Sequence, residues 1–431
     1  MAPAISTPPR RLKDLIRDRR ILAWALYDWG NSAFATTVMA GFFPIFFKQF
    51  WSSEANVSLS TARLGVANSI ASLVLGALAP VLGAMADRAS GRKKFLLAFA
   101  ALGATSTASL YLVSQGEWAW ATLLYVLGTV GFSGSISFYD ALIMGVARER
   151  ELDTVSAFGF ALGYLGGGLL FLLNVLMTLK PSWFGFVDAA QAVRTSFLMV
   201  GAWWLIFTLP LLLHVPEPPA AGPAAQGARQ VIREGFAQLA RTFHDLRKLR
   251  NVMMFLVAYF FYIDGVNTII KMAVDYGMSL GFKSDSLIVA LLLVQFIGFP
   301  AAIGFGFITP RFGTRRSLEL AIGVYVAVAI GAVFMTTELH FYFLAAAIGL
   351  VQGGIQSTSR AAFGQMIPAD QAGEFFGFFN MLGRFSALLG PLLMAITALL
   401  SDNPRVSILS VLILFGVGWF LLRKVEFRDE Q

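Results

Sequence analysis

Ionisable side chains lie inside long apolar segments of the chain, where a charge is unfavourable. Six that could carry chemistry are Asp28, Asp140, Asp264, Lys271, Arg360 and Arg384. A charged side chain at the centre of a bilayer helix costs at least about 2.5–3.5 kcal/mol on insertion scales, so such residues face water or a partner charge. A carboxylate binds an ammonium group or a proton, and a guanidinium binds a carboxylate. The positions therefore indicate either a path for a charged solute or structural ion pairs between helices.

Polar residues accompany these charges at helical spacing. Asp28 and Asn31 are three residues apart, as are Asp264 and Asn267, so each pair lies on one face of a helix. The alternative to solute binding is hydrogen bonding between membrane helices. For Arg360, near the end of its segment, snorkelling to lipid headgroups and closing a gate are further alternatives. The predicted substrate or proton pathway comprises Tyr27, Asp28, Asn31, Asp140, Asp264, Asn267, Lys271, Gln352, Gln356, Arg360 and Arg384.

The composition is that of a chain whose solvent is largely lipid. Its 431 residues are 57% hydrophobic and 13% charged, whereas a soluble protein carries about 25% charged residues. A helix needs about 20 apolar residues to cross the hydrocarbon core of a bilayer. We predict an all-α membrane protein with twelve transmembrane helices at 21–49, 63–86, 94–114, 119–146, 156–178, 194–215, 251–277, 285–309, 317–336, 341–365, 374–399 and 404–422.

Basic residues are unevenly distributed between the two sets of loops that twelve spans create. The loops on the side of the chain termini contain most of the Lys and Arg residues, whereas the opposite loops contain Lys180 and Lys283. By the positive-inside rule, both termini are predicted to be cytoplasmic. The asymmetry accounts for the net charge of +8, so no nucleic-acid partner is predicted. The short loops and termini favour a bacterial cell inner membrane, with a vacuolar location still open.

The spans divide into two halves that resemble each other. The Asp and Asn pair of the first span recurs in the seventh, and a proline-rich stretch at 216–223 interrupts the helical pattern between the halves. Six plus six spans around a midplane site are the architecture of a rocker-type transporter. The predicted regions are a cytoplasmic basic N-terminus at 1–20, a six-helix half at 21–215, a cytoplasmic linker with an amphipathic helix at 216–250, a six-helix half at 251–424 and a cytoplasmic C-terminus at 425–431.

The residue inventory disfavours catalysis and cofactor binding. The chain has no cysteine, and His214, His244 and His340 show no metal-ligand spacing. It contains neither a phosphate-binding Gly-x-x-x-x-Gly-Lys-[Ser/Thr] loop nor a dinucleotide-binding Gly-x-Gly-x-x-Gly. We therefore predict no cofactor, no metal site, no enzyme activity and no primary pump.

Five motifs carry a family resemblance along nearly the whole chain. The loop 83–94, Gly-Ala-Met-Ala-Asp-Arg-Ala-Ser-Gly-Arg-Lys-Lys, resembles the signature between helices two and three of the major facilitator superfamily. More narrowly, segments 24–36, 158–168, 352–360 and 374–380 resemble the vacuolar amino-acid effluxer (autophagy-related) family and its bacterial permease relatives. Two departures are an extra residue at Ala89-Ser90 in the signature loop and Pro310 in place of its acidic residue in the second copy.

The resemblance implies a cytoplasmic gate. In the superfamily, the acidic residue of the signature loop holds the cytoplasmic side closed against the N-terminus of helix eleven, where a carboxylate is favourable. Here that acidic residue is Asp87, and the helix terminus lies near Glu374. The alternative role for the basic residues of the loop is to anchor topology. The gate residues implied in this way are Gly83, Asp87, Arg88, Gly91, Arg92 and Glu374.

The predicted function is secondary active transport by alternating access. The solute is expected to be small and polar, an amino acid or short peptide, with Asp28 and Asp264 facing its ammonium group and Arg384 its carboxylate. Proton coupling and uniport are both open. The alternatives are an exporter of amphipathic compounds and a non-transporting membrane receptor. The expected partners are the solute, membrane lipid and protons, and the expected oligomeric state is a monomer.

Overall fold

The computed structural model describes residues 12–52, 63, 91–217, 249–386, 389–401 and 407–427. All of the predicted second span at 63–86 except residue 63, and nearly all of the predicted linker at 216–250, lie outside these described ranges. Two residues of the predicted eleventh span, 387 and 388, lie outside them as well.

All regular secondary structure in the described part of the first half is helical. The long first helix includes π-helical stretches at Phe34–Phe42 and Phe47–Trp51, on either side of Pro44, which has no N–H to donate to the ladder. The helices of this half are α1 (Leu12–Arg17), α2 (Arg19–Trp51), α3 (Arg92–Ser109), α4 (Trp118–Val146), α5 (Leu152–Leu179) and α6 (Ala189–His214).

The second half is helical in the same way. Gly313, with a φ of 91°, makes the one-residue turn between two of its helices, a conformation that favours glycine. The predicted span 374–399 corresponds to two described helices, α11 and α12. The helices of this half are α7 (Arg250–Ser279), α8 (Ser284–Phe312), α9 (Thr314–Val333), α10 (Glu338–Met366), α11 (Ala372–Phe385), α12 (Leu389–Ser401) and α13 (Val411–Leu422).

Many of these helices have the length and apolarity of membrane spans. Within the described ranges, nine helices are long and apolar enough to cross a membrane, and a shorter apolar helix covers Ile408–Leu422. Their ends alternate between two sides of the bundle. On the side where α2 begins and α13 ends, here called the terminus side, Arg315 donates to the carbonyl of Val425 at 2.7 Å. On the far side, the N–H of Gly116 donates to the carbonyl of Phe50 at 3.1 Å.

An internal repeat is visible in the bounds of the helices. Helices α4 and α10 are each 29 residues long, and each is followed by a 3₁₀ turn and then by α5 or α11. Helix α5 packs against α8 and α10, and α4 packs against α11. The interface between the halves is therefore built largely from these five helices in the described part of the chain.

Candidate functional site

Arg360 is the centre of a buried charge cluster between the two halves. Its side chain belongs to α10 and is 3% exposed. Guanidinium atom Nη1 lies 3.0 Å from Asp140 Oδ1 on α4 and 3.6 Å from Asp28 Oδ2 on α2. Arg360 is therefore paired with carboxylates inside the protein, and its role in a gate or in the pathway stays a prediction.

The remaining donors of Arg360 point to one residue of α5. Nε donates to Ser156 Oγ at 2.9 Å, and Nη2 donates to the Ser156 carbonyl at 2.8 Å. Ser156 Oγ in turn donates to the carbonyl of Ser357 on α10 at 2.8 Å. The guanidinium is therefore hydrogen-bonded on three of its nitrogens by groups of the first half.

The two carboxylates of the cluster have further donors. The hydroxyl of Tyr139 donates to Asp28 Oδ2 at 2.9 Å. The amide of Asn380, on α11, donates to Asp140 Oδ2 at 2.9 Å. Charge-assisted hydrogen bonds of this kind are about twice as strong as neutral ones. Each carboxylate is thus bound by the guanidinium and by at least one neutral donor.

Aromatic rings surround the guanidinium. The Arg360 Cζ atom lies 4.3 Å from the ring centroid of Phe160, 4.9 Å from that of Trp24 and 5.5 Å from that of Tyr139. The rings of Trp24 and Tyr139 stack with centroids 4.4 Å apart, and Trp24 Nε1 donates to the Tyr139 carbonyl at 3.0 Å. A cation over such faces gains about 0.5–2 kcal/mol, more when it is desolvated.

We call this group the inter-half cluster. Asp140 and Arg360 occupy equivalent positions in the repeat, since each lies 22 residues after the first residue of its helix. Each is six residues from the end of that helix, about 9 Å from the terminus side at about 1.5 Å per residue. The cluster comprises Trp24, Asp28, Tyr139, Asp140, Ser156 and Phe160 of the first half, and Arg360 and Asn380 of the second.

Asp264 has different partners from its counterpart Asp28. Both of its carboxylate oxygens accept the N–H of Gly390 at 3.1 Å, and Thr268 Oγ1 donates to it at 3.3 Å. Gly390 is the second residue of α12, and a carboxylate is favourable at a helix N-terminus. Asn267 Nδ2 donates to the carbonyl of Gly383 on α11 at 3.3 Å. These contacts all lie within the second half.

The other predicted pathway residues are spread along the bundle. Tyr27 is buried within the first half and accepts a hydrogen bond from Trp204 Nε1 at 3.3 Å, and Asn31 is buried nearby. Lys271 is exposed and is an electrostatic neighbour of Asp264. The side chain of Arg384, on α11, lies outside the described residues.

The structure describes three of the six predicted gate residues. Gly83, Asp87 and Arg88 lie outside the described residues. Gly91 immediately precedes α3, and Arg92 is buried with Nη1 3.5 Å from the carbonyl of Ala141. Glu374 is buried in the first turn of α11. The gating role of all six residues stays a prediction.

Gln352 and Gln356 lie beside a tyrosine that bridges the halves. The hydroxyl of Tyr164, on α5, is 3.5 Å from Gln356 Oε1, and Gln352 is a hydrogen-bonding neighbour of the same hydroxyl. A Cβ added to Gly298 of α8, or to Gly353 of α10, would lie 2.8 Å from the Tyr164 ring. The two glycines thus make room for this ring between the halves.

Gly298→Ala is expected to destabilise the protein by about 1–3 kcal/mol, because the added methyl group overpacks against Tyr164. Gly304→Ala on the same helix is the matched control, since a Cβ there meets nothing within 4 Å, and it should be neutral or slightly stabilising. Thermal unfolding of both variants in detergent compares them. Equal melting temperatures would show that the Tyr164 ring moves aside without strain.

Several residues of the site carry no clear signal in the sequence. Tyr139, Ser156 and Tyr164 are neutral side chains in apolar segments, so hydropathy does not distinguish them from helix-packing residues. Asn380 belongs to a motif that resembles the effluxer family, but the motif does not reveal its carboxylate partner.

Comparisons with known proteins identify the family. Residues 60–429 match the family described as "Vacuole effluxer Atg22 like". The chain belongs to this Atg22-like family. It is 38% identical to the uncharacterized MFS-type transporter YxiO of Bacillus subtilis (strain 168), over 93% of each chain. It is 23% identical to autophagy-related protein 22 of Coccidioides immitis (strain RS), over 95% of this chain and 87% of that one.

Solved structures show the fold of this Atg22-like protein. The human organic anion transporter MFSD10 (TETRAN) matches with a TM-score of 0.71 and 15% identity, over 94% of this chain and 99% of that one. The proton:xylose symporter XylE matches with a TM-score of 0.69 and 15% identity, over 97% of each chain. The predicted major facilitator fold is confirmed, and the helices of the described ranges are consistent with the predicted twelve helices in two halves. The protein is a multi-pass membrane protein of a transporter family and not an enzyme.

Proposed function

We propose that this Atg22-like protein moves a small polar solute with an ammonium group, an amino acid or short peptide, by alternating access. The observation that carries the proposal is the inter-half cluster, in which buried charges of both halves meet. A rocker-type transporter must separate its halves on one side while they close on the other. A contact such as Arg360 to Asp140 forms only while the terminus side is closed.

Further contacts support a closed terminus side. Gln365 Nε2, near the end of α10, donates to Asp153 Oδ2 at 2.9 Å at the start of α5. Thr154 Oγ1 donates to the carbonyl of Gly306 on α8 at 3.2 Å. We propose that this side is cytoplasmic, because its loops hold most of the basic residues. The description of the family, a vacuole effluxer, supports transport out of a compartment and toward the cytoplasm.

Asp28 is the residue we assign to the solute ammonium group or to a coupling proton. It lies 3.6 Å from Arg360, whereas Asp140 lies 3.0 Å from the same nitrogen, so Asp28 is the weaker partner of the guanidinium. Asp28 and Asp140 share one guanidinium, so one of their two negative charges is not balanced by it. An ammonium group or a proton at Asp28 would neutralise that charge. A proton-coupled relative of the fold, XylE, supports proton coupling by analogy.

Uptake into proteoliposomes tests the proposal. Wild type, Asp28→Asn and Asp264→Asn are each offered a labelled amino-acid mixture, with and without an inward-directed proton gradient. We expect gradient-stimulated uptake in wild type and its loss in Asp28→Asn, because an amide cannot bind the proton or pair with the ammonium group. Asp264→Asn is the matched buried control and should retain most uptake, since its amide oxygen can still accept the Gly390 N–H.

The outcomes separate the alternatives. Full uptake by Asp28→Asn would remove Asp28 from the pathway, and loss in Asp264→Asn alone would transfer the assignment to the second half. No uptake of any amino acid by folded wild type would favour export of amphipathic compounds first and a receptor role second.

A further inference from the structure

The partners of the Arg360 guanidinium in the inter-half cluster form a complete cation site within the first half. Its carboxylates come from α2 and α4, its serine oxygens from α5, and its aromatic faces from all three helices. The guanidinium comes from α10 of the other half. We call the first-half part the cation cage; it consists of Trp24, Asp28, Tyr139, Asp140, Ser156 and Phe160.

We propose that the cation cage binds a small organic cation, a guanidinium or primary ammonium group, whenever Arg360 has withdrawn. The proposal rests on the proposed function, because alternating access is what moves α10 away from the cage. Arg360 then acts as a built-in occupant of the cage in the closed state. A solute that carries a cationic group, such as a basic amino acid, takes its place in the open state.

The geometry of the cage suits a guanidinium in particular. Ser156 accepts two of its N–H groups, one at Oγ and one at the carbonyl, at 2.9 and 2.8 Å. Asp140 accepts a third at 3.0 Å. The Phe160 and Trp24 rings lie within 5 Å of the guanidinium carbon, a distance at which cations interact with aromatic faces. A primary ammonium group can use the same carboxylates with fewer directed hydrogen bonds.

Charge explains why the vacated cage attracts a cation. Withdrawal of Arg360 removes the guanidinium that contacts both Asp28 and Asp140. Buried carboxylates are unfavourable unless they are paired or hydrogen-bonded. Arg92, a buried cation of the first half, has its Nη1 at the carbonyl of Ala141, 3.5 Å away. A cationic solute that enters from the terminus side would therefore bind where Arg360 was.

Competition with Arg360 makes the proposal testable without transport. The apparent affinity for a free ligand is the intrinsic affinity multiplied by the fraction of molecules in which the site is open, so an internal occupant lowers it. Purified Arg360→Ala should therefore bind free methylguanidinium more tightly than wild type does. We expect methylguanidinium chloride to raise the melting temperature of Arg360→Ala in a saturable manner, with sodium chloride as the ionic-strength control. Arg360→Ala/Asp140→Asn should bind methylguanidinium at least about tenfold more weakly than Arg360→Ala does, which corresponds to about 1.4 kcal/mol of binding free energy.

A second measurement keeps the test decisive if Arg360→Ala does not fold. The natural chain has no cysteine, so Ser156→Cys in an otherwise wild-type chain places a single thiol in the cage. Methylguanidinium should slow labelling of that thiol by a small thiol reagent. Labelling of Ser182→Cys, in the turn Pro181–Phe184 on the far side, should not change.

The two readouts decide between the outcomes. Saturable stabilisation or protection that requires Asp140 supports the cage. Absence of both stabilisation and protection, in protein that transports amino acids, would overturn the proposal that the cage binds a cation. It would leave the proposed function unaffected. Binding in the cage without transport of any cationic solute would contradict the assignment of substrate class.

Discussion

Arg360→Leu is expected to destabilise the folded protein by about 3–5 kcal/mol and to abolish transport, because removal of one partner of a buried ion pair leaves uncompensated charge. Asp28 and Asp140 would remain buried without the guanidinium that contacts both. The leucine also cannot replace the two hydrogen bonds to Ser156. Thermal unfolding in detergent and uptake into proteoliposomes measure the two effects.

The control for this variant is Arg423→Leu. Arg423 is 61% exposed and lies 3.7 Å from Glu319, so its ion pair is of the surface kind. Such pairs contribute about 0–1 kcal/mol, and the variant should unfold and transport like wild type. A loss of stability in Arg360→Leu no larger than in Arg423→Leu would mean that the inter-half cluster does not hold the halves together.

A chemical crosslink between α5 and α10 on the terminus side is expected to stop transport almost completely. Asp153→Cys/Gln365→Cys places two thiols where the native side chains are joined by a 2.9 Å hydrogen bond. A short, reducible bifunctional thiol reagent would then hold the halves together on that side. Alternating access requires them to separate there, so uptake should fall on crosslinking and recover on reduction.

A crosslink within one half is the control for this experiment. Asn251 lies at the start of the second half and Glu426 shortly after its last helix, α13, and the Glu426 N–H donates to Asn251 Oδ1 at 2.8 Å. Asn251→Cys/Glu426→Cys should therefore crosslink with the same reagent and leave uptake unchanged. Full transport after complete crosslinking of the pair between α5 and α10 would contradict alternating access through this interface.

Hydropathy identifies the charges that lie in apolar segments, but it does not identify their partners. Asp28, Asp140 and Arg360 were singled out as charges in apolar segments, and all three meet in one cluster. Asp264 was singled out for the same reason, but its described contacts are with α12 and its own helix. The two Asp and Asn pairs have the same spacing, so their sequences could not reveal that one faces the other half and one faces its own.

The apolar spans, the duplication and the family follow from the amino-acid sequence, because hydropathy, periodicity and motifs are properties of short stretches of chain. The pairing of charges required the folded structure. Asp140 and Arg360 are 220 residues apart, and they meet because equivalent helices of two repeats pack across their common interface. Tyr139, Ser156 and Phe160 became parts of a site for the same reason. A neutral side chain has no functional signal until packing places it beside a charge.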